Sequence, residues 1–142
     1  MSDSTIRIED HSEEYLDKVD EALERAMEAI GIHLEGEAKE ELENTPRRVD
    51  TGLLRNSITY AIDGKPAAIS SYTDDEGKKS GTYHGTAPKE EKGRSVAVGT
   101  NVSYAPYVHE GTSKMTPNRF LKNAVERNKE QVTQYIKKEL GG

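Results

Sequence analysis

The sequence is poor in the residues that usually stiffen or fill a small domain. It has no cysteine, no tryptophan and a single phenylalanine, Phe120, among 142 residues. The absence of cysteine excludes disulfide scaffolds, thiolate metal sites and cysteine nucleophiles. With so few large aromatic side chains, any hydrophobic core must be built from Leu, Ile, Val, Ala and Tyr.

Apolar residues as a whole are also scarce. The hydrophobic fraction is 32% and the mean hydropathy is −0.87, whereas globular domains contain roughly 45–50% apolar residues by a count that includes Gly. Little apolar surface is therefore available to offset the entropy lost on folding. The length predicts one domain over residues 1–142, and we expect contacts with neighbouring subunits to add to its stability.

Long hydrophobic runs are missing as well. No stretch approaches the roughly 20 apolar residues of a membrane span, and the segment Met1–Thr5 has neither the basic nor the apolar region of a signal peptide. We therefore expect no membrane partner, and a cytoplasm-like compartment unless the protein leaves it inside an assembly.

Charge is unevenly distributed along the chain. Residues 1–50 carry 16 acidic and 6 basic residues, whereas residues 51–142 carry 10 acidic and 14 basic ones. An acidic first half disfavours the wrapping of nucleic acid around it. A solvated acidic helix face is the commoner interpretation of such a pattern.

Periodicity predicts a helix at each end. Leu, Val, Ala and Ile recur every three or four residues from about 12 to 44, with a bend or break expected near Gly31 and Gly36. Residues 1–10 are expected to form a flexible tail. The last helix is expected to be capped by Thr116, with Pro117 at its first position.

The middle of the chain predicts strands and turns. Asp50 or Thr51 is expected to cap a single helical turn over residues 52–56. Alternating polar and apolar residues predict strands at 57–63, 67–73 and 94–100. Residues 73–93 are rich in Gly and charge, so we expect a long mobile loop or an extended hairpin there. The fold class is therefore α+β, with a small antiparallel sheet of three to four strands packed against a long N-terminal helix and a C-terminal helix.

Catalytic signatures are incomplete. His109-Glu110 begins like a zinc-hydrolase motif, but Ser113 stands where the second histidine is needed. Asp50-Thr51-Gly52 resembles the aspartic-protease triplet, but no second triplet supplies the paired carboxylate. We therefore expect no catalytic residue, cofactor or metal. Two alternatives remain, a small hydrolase using Asp50, His84 and His109 or Glu110, and an unrelated cytoplasmic adaptor.

Three segments in a fixed order resemble a known family. DTGLLRNS at 50–57, VAVGTNVSYAPYVHEGT at 96–112 and PNRFLKNAV at 117–125 are similar to the tail-component family of long-tailed bacteriophages, the small head–tail joining or tail-completion proteins of the virion neck. The sequence departs from the family pattern at Asn118-Arg119, where Pro and Phe usually adjoin, and at His109-Glu110, which replaces an acidic–aromatic pair.

The resemblance implies a structural virion protein rather than an enzyme. Its implied partners are further copies in a ring of six or twelve, a head connector or portal-side protein, and a tail terminator or tail tube protein. Duplex DNA would pass through the channel without specific binding. The implied location is the virion neck, after assembly in the host cytoplasm.

Two motif kernels, residues 50–57 and 104–112, carry the candidate structural or interface residues. Gly52 and Gly111 suit tight turns, and the amphipathic rings of Tyr104 and Tyr107 suit a packed seam. The resemblance implies that residues 104–112 and Phe120 fix the short segment and last helix onto the sheet. The full set is Asp50, Thr51, Gly52, Leu54, Ser57, Tyr104, Ala105, Tyr107, Glu110, Gly111, Thr112 and Phe120.

Overall fold

A computed structural model describes residues 4–9, 17–44, 46–66, 69–89 and 93–141. The helices are α1 (Asp17–Glu41), α2 (Leu53–Ser57), α3 (Ala105–Glu110), α4 (Phe120–Arg127) and α5 (Lys129–Glu139). The strands are β1 (Ser4–Glu9), β2 (Thr59–Ile62), β3 (Ile69–Thr73), β4 (Ser80–His84) and β5 (Gly93–Gly99).

The strands form two antiparallel sheets. In the larger one, β5 lies between β1 and β2, with Ile6 opposite Val96 and Tyr60 opposite Val98. The smaller sheet is the β3–β4 hairpin. Helix α1 packs against β2 and β5 as well as against α4 and α5. The α+β class predicted from the sequence is confirmed.

Helix α1 supplies the longest apolar face of the core. Leu23, Met27, Ile30 and Leu34 follow one another at helical spacing and all are buried. The helix continues through Gly31 and Gly36, so the expected break near 31–36 is wrong. A Cβ at position 31 would overlap the Tyr60 ring, which explains that glycine as a close packing contact rather than a hinge. The predicted helix residues 12–16 lie outside the described part.

The two chain ends differ from expectation. Residues 4–9, predicted to be a flexible tail, form β1 because β5 pairs with them along their whole length. The last helix begins at Phe120 instead of Thr116, and it divides into α4 and α5 at Asn128. Thr116 and Pro117 lie in the irregular segment between the Thr112–Met115 turn and α4.

Residues 73–93 contain a strand where a long mobile loop was predicted. Strand β4 pairs with β3, so the extended-hairpin alternative is the one observed. The Asp74 carboxylate closes the connecting turn by accepting hydrogen bonds from the amides of Lys78 (2.7 Å) and Lys79 (3.2 Å). Residues 90–92 lie outside the described part.

The buried cluster joins α1, both sheets, α3 and the C-terminal helices, with Phe120, Leu121 and Ala124 fully buried. Among the described residues no helix is long and apolar enough to cross a membrane.

Candidate assembly interface

The first motif kernel is a glycine-dependent turn. Gly52, rather than Asp50 or Thr51, occupies the N-cap of α2 and has a positive φ of 85°. The Thr51 hydroxyl accepts a long 3.4 Å hydrogen bond from the Leu53 amide. A Cβ at position 52 would overlap the Asp75 carboxylate. The predicted tight turn is therefore present, but its cap is the glycine.

Arg55 links this turn to two other parts of the chain. Its guanidinium donates to Glu43 Oε1 at 2.8 Å and to Asp75 Oδ1 at 3.1 Å. The Asp75 amide donates to the Thr51 carbonyl at 2.7 Å, and Asn56 Nδ2 donates to the Thr73 carbonyl at 2.8 Å. The hydrogen bond from Arg55 lowers the pKa of the Glu43 carboxyl, and Arg47 lowers it further. The turn and the hairpin tip are thus held by a partly exposed network of charges.

Leu54 and Ser57 anchor the same turn in the core. Leu54 is 3% exposed. Ser57 Oγ donates to the Leu54 carbonyl at 2.6 Å and lies 2.5 Å from Thr100 Oγ1. Because that hydroxyl proton is committed to Leu54, Thr100 donates in the second bond. Leu54 and Ser57 are therefore core residues and do not contribute to the exposed surface.

The second motif kernel is α3 together with the turn after it. Gly111 ends α3 with a φ of 80°, and its amide donates to the Tyr107 carbonyl at 2.8 Å. A Cβ at position 111 would lie 2.8 Å from the Met115 carbonyl oxygen and 2.8 Å from Pro117 Cδ. The Thr112 amide donates to the Met115 carbonyl at 2.9 Å and closes the turn.

His109 is buried against the last helices. Its Nε2 accepts a 3.3 Å hydrogen bond from the Lys122 amide, so Nδ1 carries the proton and donates to Glu110 at 2.7 Å. The ring meets Phe120 edge-on, with centroids 5.4 Å apart. The hydrogen bond from His109 lowers the pKa of Glu110, and the charge of Arg119 adds to that effect. Both ring nitrogens are engaged, so the geometry offers the hydrolase alternative no free imidazole at this position.

His84 lies at the open end of the hairpin, opposite Ile69. Among the described residues no group of three His, Cys, Asp or Glu side chains is placed to hold a metal.

Exposed residues from both kernels converge on one surface. Asp50, Thr51, Leu53 and Tyr104 line an open groove of about 330 Å³ whose other wall is the hairpin tip. We call it the turn groove. Its remaining lining residues are Asp74, Glu76, Lys78 and Lys79. Partial burial raises the pKa of the Tyr104 phenol. The sequence singled out both kernels, but it contained no indication that the hairpin tip joins them.

The two tyrosines are not buried in a seam within the subunit. Tyr104 is 41% exposed and Tyr107 is 61% exposed. Ala105, Val108 and Phe120 are among the buried residues of this region. Tyr107, Glu110 and Thr112 remain at the surface, so a packed seam at Tyr107 would have to form with another molecule and stays a prediction.

Asn118 is an important residue that the sequence did not reveal. It is 4% exposed, and its Nδ2 donates to the carbonyls of Glu41 and Pro46, both at 2.9 Å. Its own amide donates to the Val108 carbonyl at 2.9 Å. Asn118 thus joins the end of α1 to α3. In the sequence, Asn118 stood out only because it interrupts the usual Pro-Phe junction of the family. That interruption does not indicate which groups Asn118 bonds.

The first glycine turn, Tyr104 and the charged residues of the hairpin tip thus surround one open groove. The family described as "Bacteriophage HK97-gp10, putative tail-component" matches residues 7–111, and the chain belongs to this family. The match ends before the PNRFLKNAV segment, so that part of the resemblance rests on the sequence motif alone. Comparison with curated proteins and with solved structures gave no significant match.

Proposed function

We propose that this tail component is a neck protein that forms a ring, joins the head connector to the tail, and surrounds the channel through which DNA passes. The observation that carries the proposal is the family match over residues 7–111. The matched segment includes α1, the hairpin, the first motif kernel and residues 104–111 of the second, so all residues that line the turn groove lie within it.

The turn groove is suited to contact a neighbouring virion protein. Tyrosine side chains contribute large amphipathic contact area at low entropic cost and are enriched in protein interfaces. Asp50 and Thr51 stand beside Tyr104 on a backbone that Gly52 and the Arg55 network hold in place. A preformed surface of this kind loses little conformational entropy on docking. We assign it to the contact with the connector side or the tail side.

The exposed carboxylates of the first helix would allow DNA to pass through the channel without binding to its wall. Helix α1 exposes Glu21 and Glu28 in its N-terminal half. Carboxylates facing a channel repel phosphates, whereas clustered Lys and Arg bind them. In the proposed ring, the carboxylates at the N-terminal end of this helix, which the neighbouring copies leave uncovered, would not attract the duplex.

Electron microscopy of particles made without this protein tests the proposal. Filled heads and completed tails should accumulate unjoined, and the wild-type gene supplied in trans should restore joined particles.

A point variant tests the turn groove. Tyr104→Ala should fold normally, but the particle should retain it less well than the control Ser71→Ala, which alters an exposed residue of β3. Complete and infectious virions formed without the protein would show that the neck assignment is wrong.

A further inference from the structure

The outer face of α1 has a feature that packing within the subunit does not explain. Ile32 lies at the centre of this face and is 58% exposed. Gly36 follows one turn later, and a Cβ added there would meet nothing within 4 Å. Glycine in a helix interior costs about 1 kcal/mol relative to alanine. The helix therefore carries a destabilising residue that its own fold does not require.

The exposed Ile32 side chain stands one turn before a glycine with open space around it, which leaves room for a side chain of another molecule, and we call this spot the α1 notch (Ile32 and Gly36). Close to the notch, Glu40 is exposed and forms no ion pair within the described part of the chain, and Glu35 is half-buried beside Lys39. The notch is thus an apolar spot with a mainly acidic margin. A suitable occupant has an apolar side chain and a basic margin.

The same chain presents such a surface elsewhere. Tyr107 is 61% exposed. Lys114, Arg119 and Lys122 are all exposed in the segment that follows it, and Arg119 is 3.6 Å from Glu110. Arg119 and Lys122 lie against α3, the helix that carries Tyr107, through Glu110 and His109 respectively, and we call Tyr107 together with the three basic residues the tyrosine patch (Tyr107, Lys114, Arg119 and Lys122). Ile69, the other large side chain of similar exposure, lies opposite His84 on a strand whose exposed residues are otherwise Ser and Thr.

We propose that the α1 notch of one copy receives the tyrosine patch of the next copy. This inference rests on the proposed ring and specifies its subunit contact. The notch and the patch are both exposed, so they do not cover each other within one subunit. Two unlike patches that recognise each other produce a head-to-tail contact, which closes into a ring when the rotation between copies allows it. Opposite charges around the apolar centre set the orientation of the contact.

Cross-linking between cysteine variants tests this contact directly, because the chain contains no natural cysteine. Ala29→Cys lies at the margin of the notch, and Ser113→Cys lies beside Lys114 in the patch. Particles lacking the protein are complemented with a mixture of the two single variants and treated with a short bismaleimide. The mixture should give a cross-linked dimer, whereas either variant alone should give none because the contact is head-to-tail. A mixture of Ala29→Cys and Ser71→Cys is the matched control and should also give none.

Gly36→Leu distinguishes blocked docking from damaged folding. The new side chain enters open space and leucine is a good helix former, so the melting temperature should rise slightly. The Ala29–Ser113 cross-link should nevertheless be lost. If the cross-link persists in the Gly36→Leu background, or if rings with the natural glycine give no such cross-link in the particle, the notch is not the docking site and the neck assignment is unaffected. A protein that never enters the particle would overturn this contact and the proposed function together.

Discussion

The two motif kernels make similar glycine turns but are held by different forces. Around Gly52 the contacts are mostly charged and partly exposed, and they run from Arg55 to Glu43 and Asp75. Around Gly111 the contacts are backbone hydrogen bonds and buried packing, with His109 against Phe120. Exposed ion pairs contribute little and are weakened by salt, whereas apolar packing involves no charges for salt to screen. The charged contacts of the first kernel should therefore respond to salt, while Leu54 and Ser57 keep its backbone anchored in the core.

The largest expected effect is the loss of the aromatic ring beneath the second kernel. Phe120→Ala should lower the free energy of unfolding by about 3–5 kcal/mol, because Phe120 is completely buried and its removal leaves a cavity. Urea denaturation followed by circular dichroism measures the change. Tyr107→Ala is the control and should change stability by less than about 0.5 kcal/mol. Equal losses in the two variants would mean that the core has been misplaced.

Alanine at the two glycines compares the turns themselves. Each substitution forces a positive φ on a residue with a Cβ, at about 1–2 kcal/mol. Gly111→Ala should cost more than Gly52→Ala, since its Cβ meets the Met115 carbonyl and the Pro117 ring, whereas the Cβ at 52 meets a carboxylate that can rotate away. The melting temperatures of the two variants, measured by thermal unfolding, show which substitution costs more stability.

A double-mutant cycle provides the control for Gly52. Gly52→Ala should be less harmful in an Asp75→Ala background, in which the overlapping carboxylate has been removed. Strict additivity of the two changes would contradict the proposed overlap.

The charged network of the first kernel should be weak and salt-dependent. Arg55→Gln should lower the free energy of unfolding by about 1 kcal/mol or less at low salt, because its partners Glu43 and Asp75 are largely exposed. The difference from wild type should shrink in about 1 M NaCl, where the Debye length is near 3 Å. Lys137→Gln, which alters an exposed lysine near the end of α5, serves as the control. A loss that does not change with salt would mean that Arg55 acts through packing.

The smallest effect concerns acid titration. The pKa of Glu43 is lowered by Arg55 and that of Glu110 by His109. A carboxyl whose pKa is depressed in the folded state contributes stability above its unfolded pKa, near 4.5, and loses it as pH falls through the folded value. Stability should thus decline below about pH 4.5, and Glu43→Gln should make that decline shallower. NMR titration should show Arg55→Gln raising the pKa of Glu43 toward its ordinary value while Glu110 does not move.

Local patterns predicted some elements of the fold and missed others for identifiable reasons. Helix α1 was predictable because its buried residues repeat at helical spacing, and β2 because its residues alternate. Strand β1 also alternates, with Ile6 and Ile8 between polar residues, but its partner β5 is almost 90 positions away and nothing local indicates that pairing. The start of α4 was misplaced because the Asn118 side chain bonds residues more than 70 positions earlier.

The candidate surface was predictable only in part. The glycine turns at 52 and 111 follow from residue type, and both have the positive φ expected. The meeting of Thr51, Tyr104 and the hairpin tip depends on how three separate segments pack. The exposure of Tyr107 could not be read from the sequence either, since an amphipathic ring suits both a core margin and a surface.

The central position of β5 has a consequence for synthesis of the chain. Both β1 and β2 pair only with β5 in the larger sheet, so neither strand has its partner until residues 93–99 have left the ribosome. Chains are made at roughly 5–20 residues per second, so most of the chain emerges before this sheet can form. During that interval the apolar face of α1 lacks β5, α4 and α5 to cover it. The nascent chain thus presents the apolar face of this helix early and covers it late.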